Sequence, residues 1–410
     1  MTASLVFKIL IGIIIINFIK EEVLSFLNAK HFNDKLPEEL QDVYDEKAYR
    51  KSQDYKKTNY DFSFYTNSFS IILTLSLFFF EGFAWIDTLV RGVANNEILQ
   101  TLIYFAILFF GSDILNTPFA FYKTFIIEEK FGFNKSTKRL FILDKLKGWA
   151  LALLVGGPLL ALITWFYQQT ENQFWIYTWG VITIFTLFMN LFYSSLIVPL
   201  FNKQTPLEDG ELKTELENFA NKIGFQLDKI FVIDGSKRST KANAYFSGFG
   251  FKKRIVLYDT LIKELSTQEI VAVFAHEVGH YKKKHIIFNL ITSIVLTGLT
   301  LFILSLLIGN PLLSDALRID EPSFHIGLIT FSILYSPISE ITGLAMNSIS
   351  RTFEYQADNY AKKYTNAEDL ISSLKKLSKN SLSNLTPHKA TVFAHYSHPT
   401  LLQRIRSLRK

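Results

Sequence analysis

His276-Glu277-Val278-Gly279-His280 combines residue types and spacing that suit hydrolytic chemistry. On a helix, residues four apart share one face. Two imidazoles placed this way can each give a nitrogen to one zinc ion, and the glutamate between them can act on a water held there. Zinc brings the pKa of such a water to about 7. Glu277 would then take the proton as the oxygen attacks a carbonyl. The run leading into the motif, Glu269-Ile-Val-Ala-Val-Phe-Ala-His276, has the apolar character of a buried helix. Unpartnered histidines there would be costly, which disfavours a surface helix carrying two incidental histidines.

A catalytic zinc takes three protein ligands and keeps one position open. No third histidine follows closely, which excludes the metzincin arrangement. Glu354-Tyr-Gln-Ala-Asp358 places two carboxylates four residues apart on one helix face. Glu354 is the expected third ligand of a single Zn2+. Asp358 is expected to accept the free ring N–H of a ligating histidine.

These residues sit in an apolar chain. Of 410 residues, 49% are hydrophobic and 20% charged, below the quarter or so typical of soluble domains. With no cysteine, thiol nucleophiles, disulfides, iron–sulfur clusters and cysteine-ligated zinc are excluded. The apolar residues form seven blocks long enough to cross a bilayer: 5–27, 67–88, 98–121, 149–167, 174–201, 286–308 and 324–348. The first lacks a preceding basic segment and reads as a retained span, not a signal peptide. Lys and Arg crowd the first loop, the 123–147 loop, the 202–285 segment and the C-terminal tail, whereas the intervening connections hold only Arg91 and Arg318. Basic loops stay cytoplasmic, so the 202–285 segment and the C-terminus belong inside. Two crossings separate His280 from Glu354. Only an even number returns the carboxylate to the histidines' side.

The expected fold is mostly α, a polytopic membrane protein with seven transmembrane helices and a small α+β zinc-protease region on the cytoplasmic side. Its divisions are 1–201 (helices 1–5), 202–285 (metalloprotease region), 286–350 (helices 6–7) and 351–410 (third ligand). Strands are expected at 229–234 and 254–259, the latter offering an edge to an extended peptide. Ser266 or Thr267 should cap the zinc helix. Gly248 and Gly250 mark a turn and not a phosphate loop. His285 and His325 read as interfacial, and His31, His388 and His395 receive no role. Glu81, Asp113 and Glu340 lie within spans and need polar partners.

The chain resembles the type I CAAX prenyl protease family of integral-membrane zinc metalloendopeptidases. The likeness rests on Phe125-Ile-Ile-Glu-Glu-Lys-Phe-Gly-Phe-Asn134, Asn243-Ala-Tyr-Phe-Ser-Gly-Phe249, the zinc pair with Arg351-Thr-Phe-Glu-Tyr-Gln-Ala-Asp358, and His395-Tyr-Ser-His-Pro399 continuing to Arg404. Phe131 departs from it, standing where the family has histidine. The resemblance implies seven helices in a barrel around a water-filled chamber capped by the zinc site. It implies cleavage near the C-terminus of prenylated CAAX-type proteins or related peptides. It also implies that Asn243 contacts the substrate backbone, that His398 stabilises the oxyanion and that Arg404 supports the zinc shell. By residue type alone, Asn243 suits a turn equally well, and His398 before Pro399 suits a cap. Expected partners are a peptide or protein C-terminus, farnesylated or not, and membrane lipid, with no nucleic acid and the oligomeric state open. The membrane is cytoplasmic in a bacterium and endoplasmic reticulum in a eukaryote. Two alternatives stand beside this reading: a membrane quality-control zinc protease, and a transporter or lipid-handling protein with a relict metal site.

Overall fold

The computed structural model describes residues 2–225, 229–247 and 254–410, so the expected turn at Gly248 and Gly250 lies outside the described residues. Helices α1 (Ala3–Ala29), α2 (Glu46–Phe79), α3 (Gly82–Val93), α4 (Glu97–Phe131), α5 (Lys138–Thr170) and α6 (Phe174–Phe201) form the first half. Next come α7 (Glu211–Lys222), α8 (Thr267–Lys282), α9 (His285–Leu307), α10 (Phe324–Tyr364), α11 (Ala367–Asn380), α12 (Lys389–His395) and α13 (Leu401–Arg409). Seven of these, α1, α2, α4, α5, α6, α9 and α10, are long and apolar enough to span a membrane.

Four expected spans are drawn differently: the third runs on to Phe131, the fourth begins at Lys138, and the second and seventh differ most. The second runs 46–79, not 67–88, because the backbone breaks at Glu81, whose φ is 56°. The apolar residues after it form the separate amphipathic helix α3, which buries Phe83, Ile86 and Val90. The seventh does not stop at Ser348. Helix α10 has 41 residues, a length of about 60 Å, twice the hydrocarbon core of about 30 Å. It runs unbroken through the expected boundary at 350–351 and carries Glu354 and Asp358 on its projecting end.

The spans close into a ring. Each packs on the next in the order α1, α2, α4, α5, α6, α9, α10, and α10 returns to α1; Phe62 and Phe69 of α2 meet Phe119 of α4. Their apolar windows are only 6 to 22% buried within the protein, which leaves wide apolar faces for lipid. The intramembrane acids find partners. Asp113 bonds Lys145 Nζ (2.7 and 2.8 Å) and Trp149 Nε1 (2.8 Å), and Glu340 pairs with Lys20. Glu81, which the break places outside the second span, pairs with Arg318. His325 is fully buried at the end where α10 begins, 2.8 Å from Asp87 and packed on Tyr104.

At the opposite end lies a four-stranded sheet in the order β1 (Gln204–Pro206), β2 (Lys229–Ile233), β4 (Arg254–Tyr258), β3 (Ala244–Ser247). β2 runs parallel to β4, and β3 antiparallel to it. Strand 254–258 is therefore interior, with Ile255, Val256 and Leu257 buried, and cannot offer an edge. Among the described residues the terminal strands are β1 and β3. The core beneath the site joins Leu216 and Phe219 of α7, Ile270 and Phe274 of α8, Leu370 and Ile371 of α11, and Ile405 and Leu408 of α13.

Candidate metal centre

Helix α8 starts at a capping box. The Ser266 side chain accepts from the Glu269 N–H, and Glu269 accepts from the Ser266 N–H. Glu269 also takes bonds from Ser372 (2.6 Å) and Lys376 (2.7 Å), which tie the start of α8 to α11. The helix then runs against α10. They pack tightly at Gly279, where a methyl group would stand 3.0 Å from both the Ala357 Cα and the Tyr360 Cβ. Backbone contact this tight sets how near the two ligand-bearing faces come. Gly279→Ala is expected to push the helices apart, to cost about 1–3 kcal/mol, and to lower the metal content of purified protein. Thermal unfolding and metal analysis check this, and wild-type values in both would show that the helices give way freely.

His276, His280 and Glu354 form a group that could hold a metal ion. His276 Nε2 lies 3.2 Å from His280 Nε2 and 3.4 Å from Glu354 Oε2, and His280 Nε2 lies 3.3 Å from Glu354 Oε1. Tetrahedral bonds of about 2.0–2.2 Å place donor atoms about 3.3–3.6 Å apart, so the three donors are spaced for one small cation. Glu354 Oε2 is buried and accepts no hydrogen bond, the condition of an acceptor whose partner is an ion. The charges agree. Glu277, Glu354 and Asp358 face one guanidinium, Arg404, and a divalent cation brings that set to neutrality.

Behind the donors, His276 Nδ1 lies 2.9 Å from Asp358 Oδ1. Asp358 is fully buried and receives two bonds from Arg404, Nε at 2.9 Å and Nη2 at 2.5 Å. Burial opposes charge on His276, but the Asp358 and Glu354 carboxylates outweigh it and push its pKa up to about 9. Burial likewise opposes charge on Arg404, and Asp358 overcomes it and raises its pKa further.

A cavity of about 290 Å³ opens over the group, lined by Asn243, Glu277, His398 and Arg404 among others. Glu277 is half-buried on its wall. His398 Nε2 lies 3.2 Å from Glu354 Oε1, and its Nδ1 lies 2.9 Å from Ser397 Oγ. The segment before it is anchored by Arg351, whose Nη1 donates to the Tyr396 carbonyl at 2.6 Å. Asn243 sits at the start of β3, with Oδ1 accepting from the Ala244 N–H. All eight residues singled out in the sequence are thus brought to one locus. Phe131 is buried against Tyr55, ring centroids 4.9 Å apart, and does not line the cavity.

Sequence reasoning read His285 as interfacial and gave Gln356 no role. His285 is buried against its neighbours. Its Nδ1 lies 3.0 Å from His280 Nδ1, and its Nε2 lies 3.0 Å from Gln356 Oε1. The signal was faint, a histidine five residues past the motif across a turn that no glycine marks.

Residues 25–203 match the model described as CAAX prenyl protease N-terminal, five membrane helices, and residues 206–410 match peptidase family M48. The CAAX prenyl protease 1 homolog of Arabidopsis thaliana is 36% identical over 97% of this chain and 96% of its own length. CAAX prenyl protease 1 of Saccharomyces cerevisiae is 35% identical over 98% and 94%, and the Homo sapiens homolog 33% over 91% and 88%. The crystal structure of S. mikatae Ste24p superposes with a TM-score of 0.94 at 34% identity, covering 99% of both chains. With seven spans, a His-Glu-His-Glu locus and family models that together cover nearly its full length, the chain belongs to peptidase family M48 and is a multi-pass membrane metalloendopeptidase of the CAAX prenyl protease type.

Proposed function

We propose that His276, His280 and Glu354 hold one zinc ion, and that the protein cleaves peptide bonds near the C-terminus of prenylated CAAX-type proteins. The observation that carries this reading is the meeting of three donor atoms 3.2–3.4 Å apart with Glu277 and Asn243 in one cavity. The names of the relatives supply the substrate class. Zinc, when bound, supplies a Lewis acid that acidifies water and polarises a carbonyl.

The remaining work falls to the chain. Glu277 takes a proton from water as its oxygen bonds to the scissile carbonyl carbon. It then passes that proton to the departing amine nitrogen as the C–N bond breaks. His398 offers its ring N–H to the oxygen on which negative charge develops. Asp358 holds His276 in orientation and Arg404 holds Asp358. The substrate lies as an added strand along β3, an end strand of the sheet. Asn243 Oδ1 is engaged with its own chain, which leaves its Nδ2 to donate to a peptide carbonyl. The basic loops support an arrangement with the site facing the cytoplasm.

Cleavage of a fluorogenic farnesylated CAAX peptide, set beside its unmodified twin, tests the reading. The farnesylated peptide is expected to show at least about a tenfold higher kcat/KM, about 1.4 kcal/mol. Equal values would remove recognition of the prenyl group, and no cleavage of either peptide would remove the proposed substrate class. Metal analysis should find one zinc per wild-type chain and none in His276→Ala.

A further inference from the structure

We infer that His285, backed by Gln356, is a positioning residue that locks His280 in the tautomer presenting Nε2 to the metal. This rests on reading His280 as a ligand. The two nitrogens of His280 face different surroundings. Nε2 points into the donor group, 3.2 Å from His276 Nε2 and 3.3 Å from Glu354 Oε1, while Nδ1 faces His285 Nδ1 at 3.0 Å. Two ring nitrogens at that distance bond only when one carries a hydrogen and the other a lone pair.

The donor group and Gln356 agree on which. With the His280 lone pair on Nε2, aimed at the metal position, His280 Nδ1 is the donor and His285 Nδ1 the acceptor. The hydrogen of neutral His285 then sits on Nε2, 3.0 Å from Gln356 Oε1, an amide oxygen that accepts it. The opposite tautomer of His280 would set two lone pairs against each other in a buried site.

The local chain holds this relay rigidly. Lys284 adopts φ 60° and ψ 25°, a left-handed turn that folds His285 back over the last turn of α8. The His285 ring lies flat on Phe353, centroids 4.0 Å apart and planes 6° apart. Phe353 and Gln356 are three residues apart on α10, beside Glu354, so the helix that carries the third donor also supplies both supports of His285.

The two histidines are thus secured by different chemistry. His276 leans on a carboxylate, and His280 on a neutral ring. A carboxylate behind His280 as well would put four acids around one guanidinium and one divalent cation, leaving net negative charge in a buried pocket. A neutral acceptor orients the ring without adding charge.

Zinc binding to the purified full-length protein, measured by competition with a chromophoric chelator at fixed pH, tests this together with the visible absorption of the cobalt(II)-loaded protein. His285→Phe keeps a flat ring on Phe353 and removes the acceptor. It is expected to weaken zinc binding by about 10–100-fold and to alter the cobalt spectrum. His285→Gln restores an acceptor and is expected to recover most of the affinity and the spectrum. Gln356→Leu keeps the His285 ring but frees its tautomer, and is expected to weaken zinc binding in the same direction by less. Unchanged affinity and spectrum in His285→Phe would overturn the inference, as would a His285→Gln protein no better than His285→Phe. If His285→Phe fails to fold, Gln356→Leu decides, and wild-type behaviour there overturns it. These readouts need no substrate, so an error in the assigned substrate would show only in cleavage assays.

Discussion

Glu277→Gln is expected to retain its zinc and lose peptide cleavage by about 10²–10⁴-fold. Glu277 follows His276 directly on α8 and lines the cavity over the three donors. Glutamine matches its size, and its amide cannot take a proton from water. The donors remain at 3.2–3.4 Å, so zinc content should stay at wild type. Asn243 and β3 are untouched, so KM for a farnesylated peptide should change little while kcat collapses. Single-turnover cleavage together with metal analysis checks both halves. A rate within about tenfold of wild type, far short of the loss expected for a general base, would place the base elsewhere. Loss of zinc would make Glu277 a structural part of the site.

Arg404→Met is expected to cost about 3–5 kcal/mol of stability, the range for stranding one member of a buried ion pair. Arg404 is buried and makes two bonds to Asp358, which is fully buried. Its Nη2 also lies 3.4 Å from His276 Nδ1, so the same side chain frames the imidazole. Without it, Asp358 loses both guanidinium bonds and keeps His276 alone as its partner. Zinc affinity should fall by about 10–100-fold, as when an outer partner of a ligating histidine is removed. Denaturant unfolding and chelator competition measure the two effects. Adding Asp358→Asn to Arg404→Met should recover part of the stability, because the stranded charge is gone. If the single variant unfolds at the wild-type midpoint, water reaches the pair and screens it.

Much of the site could be read from residue types. The spacing of His276 and His280 on an apolar run required a shared helix face. Glu354 and Asp358, four apart, required another. The count of two crossings between them brought both faces to one side of the membrane. These inferences rest on local periodicity and on the energetics of apolar segments in lipid, and neither needs tertiary detail.

Other features depend on contacts between segments distant in sequence. Polar residues 349–364 give no hydropathy signal for a continuing helix, yet α10 persists because its inner face packs on Gly279 of α8. The apolar run after residue 67 is broken at Glu81 by a positive φ, and α3 then buries its apolar side against Tyr104 and its neighbours. Strand 254–258 became interior because β2 and β3 pair on its two sides. His325 was drawn inward by Asp87, 238 residues away.

His285 marks the division most sharply. Composition and spacing sufficed for the metal-binding residue types, their helical faces and their meeting on one side of the membrane. What stands behind His280 was decided by a left-handed turn at Lys284, which brings His285 to its Nδ1, and by Phe353 and Gln356 arriving on α10. A hydrogen-bond partner contributed by another helix leaves no period in the chain, so only the assembled fold could supply it.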